Sequence, residues 1–216
     1  SRILREIVAR RQASSFEAVP EAKLKALEDT KLRRETLAIE EVEEIVALPG
    51  FDAEATRNQE DSELIELAEN VTAQLREYVT IIYNMYRDNP FHNFEHASHV
   101  ITSTAKLLSR ITAPDIMLTD DEDVEKQLHD HAYGITSDPL TQFACIFAAL
   151  VHDVDHPGVP NSQLIKEKAS IAIVYKDKSV AEQNSVDLAW ELLMNEEYTE
   201  LRRCIYSTES EFDRFR

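Results

Sequence analysis

Leu140-Thr141-Gln142-Phe143-Ala144-Cys145-Ile146-Phe147-Ala148-Ala149-Leu150-Val151 is a strongly apolar run, and it stops abruptly at His152-Asp153-Val154-Asp155-His156-Pro157-Gly158. Apolar side chains on every face suit a helix that is buried all round. The run is too short to cross a bilayer. Pro157 cannot continue a helix, so His152 and Asp153 are expected together at the end of a buried element. The surrounding chain has the same helical bias: 216 residues contain only three Gly and seven Pro, while Glu, Leu, Ala and Lys are plentiful. With 43% apolar residues the chain can bury a sizeable core. The expected fold class is all-α.

Working outward, Leu64, Leu67, Val71, Leu75, Val79, Ile82 and Met85 recur at three- and four-residue steps, the pattern of one amphipathic helix. Asn89-Pro90 then offers a cap and a first-turn proline for a second helix running through Val100, Ile101, Ala105, Leu108 and Ile111. Residues 113–139 are polar and acidic and read as a long excursion. Beyond Pro157, helices are expected over Ser179 to Met194 and from Glu197 to about Ser207. At the other end, residues 1–47 are highly charged and helix-forming and read as a helical linker, with the domain proper at 48–216. Arg10-Arg11 reads as part of its solvated face.

Asp and Glu number 41 against 23 Lys and Arg, a net charge of -18, which repels nucleic acid and anionic membranes. The same field repels a small phosphate ester, so such a substrate would need local positive charge, for which a divalent cation is the natural source. Cys145 and Cys204 are far apart in sequence and fit reduced thiols of a cytoplasmic compartment. No signal segment opens the chain.

Five of the seven histidines fall into two groups, His92, His96 and His99 upstream, and His152 and His156 downstream. The upstream spacing of four and three lines the imidazoles along one helix face, so two helices can aim histidine and carboxylate at one point. Imidazole nitrogen with carboxylate oxygen suits zinc, whereas carboxylate with water suits magnesium or manganese. A carboxylate such as Asp153 can serve two ions at once, about 3.5–4 Å apart. A histidine nearby titrates in the range needed to protonate a leaving oxygen. His129-Asp130-His131 lies in the acidic excursion and reads as solvated, and His99 as facing a neighbouring helix.

Phe91-His92-Asn93-Phe94-Glu95-His96-Ala97, taken with His152-Asp153-Val154-Asp155-His156-Pro157-Gly158-Val159-Pro160-Asn161 and Lys178-Ser179-Val180-Ala181-Glu182, resembles the signature of class I cyclic-nucleotide phosphodiesterases of the HD superfamily. The resemblance covers about residues 60 to 216. It implies a multi-helix HD-type domain that hydrolyses cyclic AMP or cyclic GMP to the 5′-monophosphate in signal transduction. It further implies His92 as general acid to the ribose O3′, and His96, His152 and Asp153 as ligands of a zinc site. Asp153 would bridge to a second ion, magnesium or manganese. Asn93, His156 and Glu182 fall on the substrate side or around the metal waters.

Several positions depart from that signature. Phe91 stands where the family has Tyr, Asn184 and Ser185 where it commonly has paired histidines, and Gln163 near an expected aromatic. The family's fourth ligand and purine-binding residues are expected beyond Arg216, so the chain is read as an incomplete domain that turns over little by itself. The charged start suggests an upstream signalling domain, for example a membrane-anchored nucleotide cyclase. A phosphohydrolase of linear nucleotides and a silent regulatory domain are the alternatives.

Overall fold

The computed structural model describes residues 2–13, 19–34, 50–52, 65–112, 122–132, 134–135 and 137–216. Among these residues there are eleven α-helices and no strand, as the composition requires. They are α1 Arg2–Ala13, α2 Glu21–Arg34, α3 Glu69–Met85, α4 Phe94–Thr112, α5 Glu122–His131 and α6 Pro139–Val151. The chain continues through α7 Asn161–Lys166, α8 Ser170–Val174, α9 Val180–Met194, α10 Thr199–Ile205 and α11 Glu209–Phe215, with a 3-10 turn at Glu196–Tyr198 before α10.

The apolar run is α6, and it is the axis of the fold. Asp138 starts it as N-cap, accepting from the Thr141 amide at 3.1 Å and from its hydroxyl at 2.6 Å, and Pro139 occupies the first turn. Helix α4 packs along α6, and α1, α11 and α9 also lie against it. Helix α10 packs on α3. The core between them gathers Tyr78 and Ile82 of α3, Val151 and Val154 around the end of α6, Leu193 of α9 and Leu201 and Ile205 of α10. Tyr78 buries its ring there while its hydroxyl donates to the Ala189 carbonyl at 2.9 Å, so the polar tip is satisfied. A smaller cluster of Leu164, Ala172, Tyr175 and Val180 binds α7, α8 and the start of α9 together.

The N-terminal helices are not a solvated connector. Leu4 and Ile7 of α1 are 1% and 3% exposed and belong to the main core. Arg10 donates to the Ser137 carbonyl and pairs with Asp138 at 3.7 Å, and Arg11 donates to the Arg203 carbonyl at 3.0 Å and to Glu211 at 3.2 Å. Helix α2 docks through Glu28, which accepts from Arg203 at 2.8 Å and from the Tyr206 hydroxyl at 2.7 Å. Burial pushes this carboxyl up, but the Arg203 and Tyr206 hydrogen bonds prevail and hold it below the ordinary carboxylate range. Arg10, Arg11 and Glu28 are therefore used internally, against partners more than a hundred positions away. The expected boundary at 47–48, and residues 35–47 of the expected helix, lie outside the described residues.

Two further expectations change. Helix α3 starts at Glu69, not in the early 60s, with 65–68 non-helical and Leu64 outside the described residues. Part of the 113–139 excursion is helix α5, while 113–121 lie outside the described residues. His129 at the end of α5 is buried against the Ser137 hydroxyl and the Phe51 ring, whereas His131 is exposed.

If α1 is core, Ile7→Ala should destabilise the fold by about 2–5 kcal/mol, the usual cost of such a cavity. Urea unfolding measures this, and an unchanged midpoint would mean that α1 is only loosely attached.

Candidate metal centre

The site forms where the N-terminal approach to α4 meets the C-terminal end of α6. Helix α4 begins at Phe94, later than Asn89-Pro90 suggested, and Asn93 caps it: its side-chain oxygen accepts from the His96 amide at 3.0 Å. His92 therefore stands in the turn ahead of the helix, and only His96 and His99 lie on it. His99 is exposed and lines a groove with Tyr83, Arg87 and Glu95.

The turn after α6 presents Asp153, 7% exposed, to the histidines. Its Oδ2 lies 2.8 Å from His92 Nδ1, 3.2 Å from His152 Nε2 and 3.7 Å from His96 Nε2. His152 Nε2 and His96 Nε2 are 3.4 Å apart. The other nitrogen of His152, Nδ1, donates to the Ala149 carbonyl at 3.0 Å, which fixes the tautomer and turns the Nε2 lone pair toward the shared point. His96, His152 and Asp153 thus form one group able to hold a metal ion, and His92, Asp153 and His156 form a second that shares Asp153. The donor chemistry of the first, two imidazoles and a carboxylate, fits a borderline divalent cation.

His156 stacks on His92 with ring centroids 3.7 Å apart and an interplanar angle of 22°. The Gly158 amide donates to His156 Nδ1 at 3.1 Å. Burial, and then the facing His92, push His156 below the ordinary histidine range. Phe91 is 61% exposed and flanks the site, with its ring 4.5 Å from that of His96 and 5.0 Å from that of His92.

Glu182 is exposed at the start of α9 and accepts from Asn161 at 2.8 Å, while the Ala181 amide donates to the Asn161 side-chain oxygen at 3.0 Å. Asn184 and Ser185 support the turn that follows His152 and Asp153. Ser185 donates to the Val154 carbonyl at 2.6 Å, and Asn184 to Asp155 at 3.4 Å. Asp155, at φ 57°, is also gripped by Arg87 through two bonds of 2.6 and 2.9 Å. Gln163 is exposed and bonds Glu167 at 2.9 Å.

Asn89 is the residue that sequence reasoning misplaced. Its Nδ2 donates to the carbonyls of His92, at 3.0 Å, and of His156, at 3.3 Å, while its Oδ1 accepts from the Phe91 amide at 3.2 Å. Its own carbonyl accepts from Asn93 Nδ2 at 2.9 Å. The sequence signal was present as an Asn beside the motif, but its second partner lies 67 positions downstream.

Known proteins share these features. A family profile for 3′5′-cyclic nucleotide phosphodiesterase matches residues 91–216. A 3′,5′-cyclic-AMP phosphodiesterase isoform of Drosophila melanogaster is 34% identical over 110 residues, covering 51% of this chain and 14% of its own length. A probable 3′,5′-cyclic-AMP phosphodiesterase of Caenorhabditis elegans is 37% identical over 120 residues, covering 54% and 15%. The crystal structure of the phosphodiesterase domain of a rhodopsin phosphodiesterase from the choanoflagellate Salpingoeca rosetta matches 98% of this chain and 50% of its own, with a TM-score of 0.52 and 24% identity. The chain thus spans a minor part of the curated relatives and about half of the solved domain, and the structural likeness supports the all-α fold.

Proposed function

Because the chain belongs to the 3′,5′-cyclic nucleotide phosphodiesterase family, we propose that it hydrolyses 3′,5′-cyclic nucleotides, cyclic AMP or cyclic GMP, to 5′-monophosphates. The observation that carries this reading is the group formed by His96, His152 and Asp153, whose carboxylate also holds His92 at 2.8 Å. His96, His152 and Asp153 would hold one divalent cation, for which zinc suits the donor set, and Asp153 would also contribute to a second site suited to magnesium or manganese. Bound there, two cations supply charge stabilisation for the phosphoryl oxygens and activate a water.

The chain's own groups do the rest. Asp153 accepts from His92 Nδ1, which orients the imidazole and leaves Nε2 as the end that faces substrate. As the P–O3′ bond breaks, His92 Nε2 gives its proton to the departing ribose oxygen. His156 covers one face of that ring and keeps it from turning.

The direct test is to incubate the metal-loaded full-length protein, rather than this chain by itself, with each cyclic nucleotide and separate the products. The 5′-monophosphate is expected, with loss of turnover on chelation and recovery on adding back zinc with magnesium. A 3′-monophosphate product, or hydrolysis confined to linear nucleotides, would refute the assignment.

A further inference from the structure

We infer that Asn89 is a positioning residue for proton donation, holding the His92 and His156 backbones at the separation at which their rings stack. This rests on the reading of His92 as proton donor. The Asn89 carboxamide uses both of its ends. One amide group donates to the His92 and His156 carbonyls at 3.0 and 3.3 Å, and the oxygen accepts from the Phe91 amide at 3.2 Å. The two loops that it joins come from opposite ends of the site, one ahead of α4 and one after α6, and the ring stack at 3.7 Å lies between them.

The fit is close on the far side as well. Gly158 has φ +77°, and a Cβ built on it would stand 3.5 Å from Asn89 Cβ, so the His156 loop packs directly on the bracket. Its amide in turn orients the His156 ring. None of the carboxamide's hydrogen bonds reaches a side chain of His96 or His152, so the bracket acts first on the placement of His92 and His156. Only an amide of this length can donate to two carbonyls and accept from a third backbone group. An aspartate keeps the acceptor but sets a carboxylate oxygen against two carbonyl oxygens.

The experiment compares Asn89→Asp and Asn89→Ala with the unaltered metal-loaded protein. Metal content should be retained and the thermal midpoint should drop by only a few degrees, while kcat on cyclic AMP falls about 10–100-fold with KM within a few-fold, the range for loss of an orienting partner. On a cyclic phosphate whose 3′ leaving group needs no proton, the loss should shrink to a few-fold. In a His92→Ala background, Asn89→Asp should cost nothing further, because coupled residues are not additive. Independently of turnover, histidine-labelled protein should show the ring-proton resonances of His92 and His156 losing the upfield displacement that stacking gives them. Unchanged resonances, or full additivity with His92→Ala, would overturn the inference. If His92→Ala is itself insensitive to the leaving group, the proton-donor reading fails instead, and the resonances still decide whether Asn89 sets the stack.

Discussion

Asp153→Ala is expected to cost more than about 10³-fold in turnover, beyond the ~10–100-fold that follows loss of an outer partner, and to strip the protein of bound metal. One carboxylate serves both ligand groups, and its Oδ2 lies within 4 Å of nitrogens from His92, His96 and His152. Its removal leaves three imidazoles facing a point with no negative charge, so neither group retains a full donor set. Asp153→Asn separates charge from shape: the amide fills the space but brings no negative charge, and it should behave nearly as badly. Metal content by elemental analysis and turnover of cyclic AMP are measured together. Full occupancy with normal turnover in Asp153→Ala would remove the basis for a shared carboxylate.

The second large effect separates proton delivery from metal binding. His92→Ala should keep its metal and lose about 10²–10⁴-fold in rate, the usual worth of general acid catalysis. His92 stands in the turn ahead of α4, with its Nδ1 engaged by Asp153 at 2.8 Å. On a substrate with a much better leaving group at the 3′ position no proton is needed, so His92→Ala should recover most of its rate, whereas Asp153→Ala should not. Equal impairment on both substrates, or loss of metal, would place His92 in the ligand shell of the second group rather than at the leaving oxygen.

The apolar helix and the His-Asp pair at its end were legible because they depend on local sequence, although the helix is not buried all round: Phe143, Ala144, Cys145, Ile146 and Phe147 are half-buried and Ala148 is exposed. An apolar run has one place to go, and α6 ends where the ionisable residues begin. The convergence of His96, His152 and Asp153 was legible too, since each sits at a helix end or on a helix face set by its own neighbours. Asn89 was not, because local rules favour an Asn-Pro cap, and its carboxamide instead answers to a loop 67 positions away. The start of α4 moved with it: Asn93, equally suited to capping, took the role and left His92 outside the helix.

Helix α1 was misjudged for a related reason. Charge density reads as solvation when partners are invisible, and those of Arg10 and Arg11 lie on the approach to α6 and on α10 and α11. Asn184 and Ser185 stand where paired histidines were expected, and the structure gives them a different task, bonding the turn that carries Asp155. That support could not be read from composition, since it depends on α9 crossing behind the ligand turn.

Asp138 caps α6, and it also receives Arg10 from α1 and Arg214 from α11. The neighbouring Ser137 carbonyl is bonded across 127 positions of sequence, and the Asp138–Arg214 pair spans 76. Contacts of such separation close late, because the entropy of long loops is surrendered before any contact compensates for it. Helix α6 therefore reaches its final seat only after α11 has been made and has folded back. During synthesis His152 and Asp153 leave the ribosome well before α11, so the helix end that carries them is fixed only when the C-terminal helix has closed on Asp138.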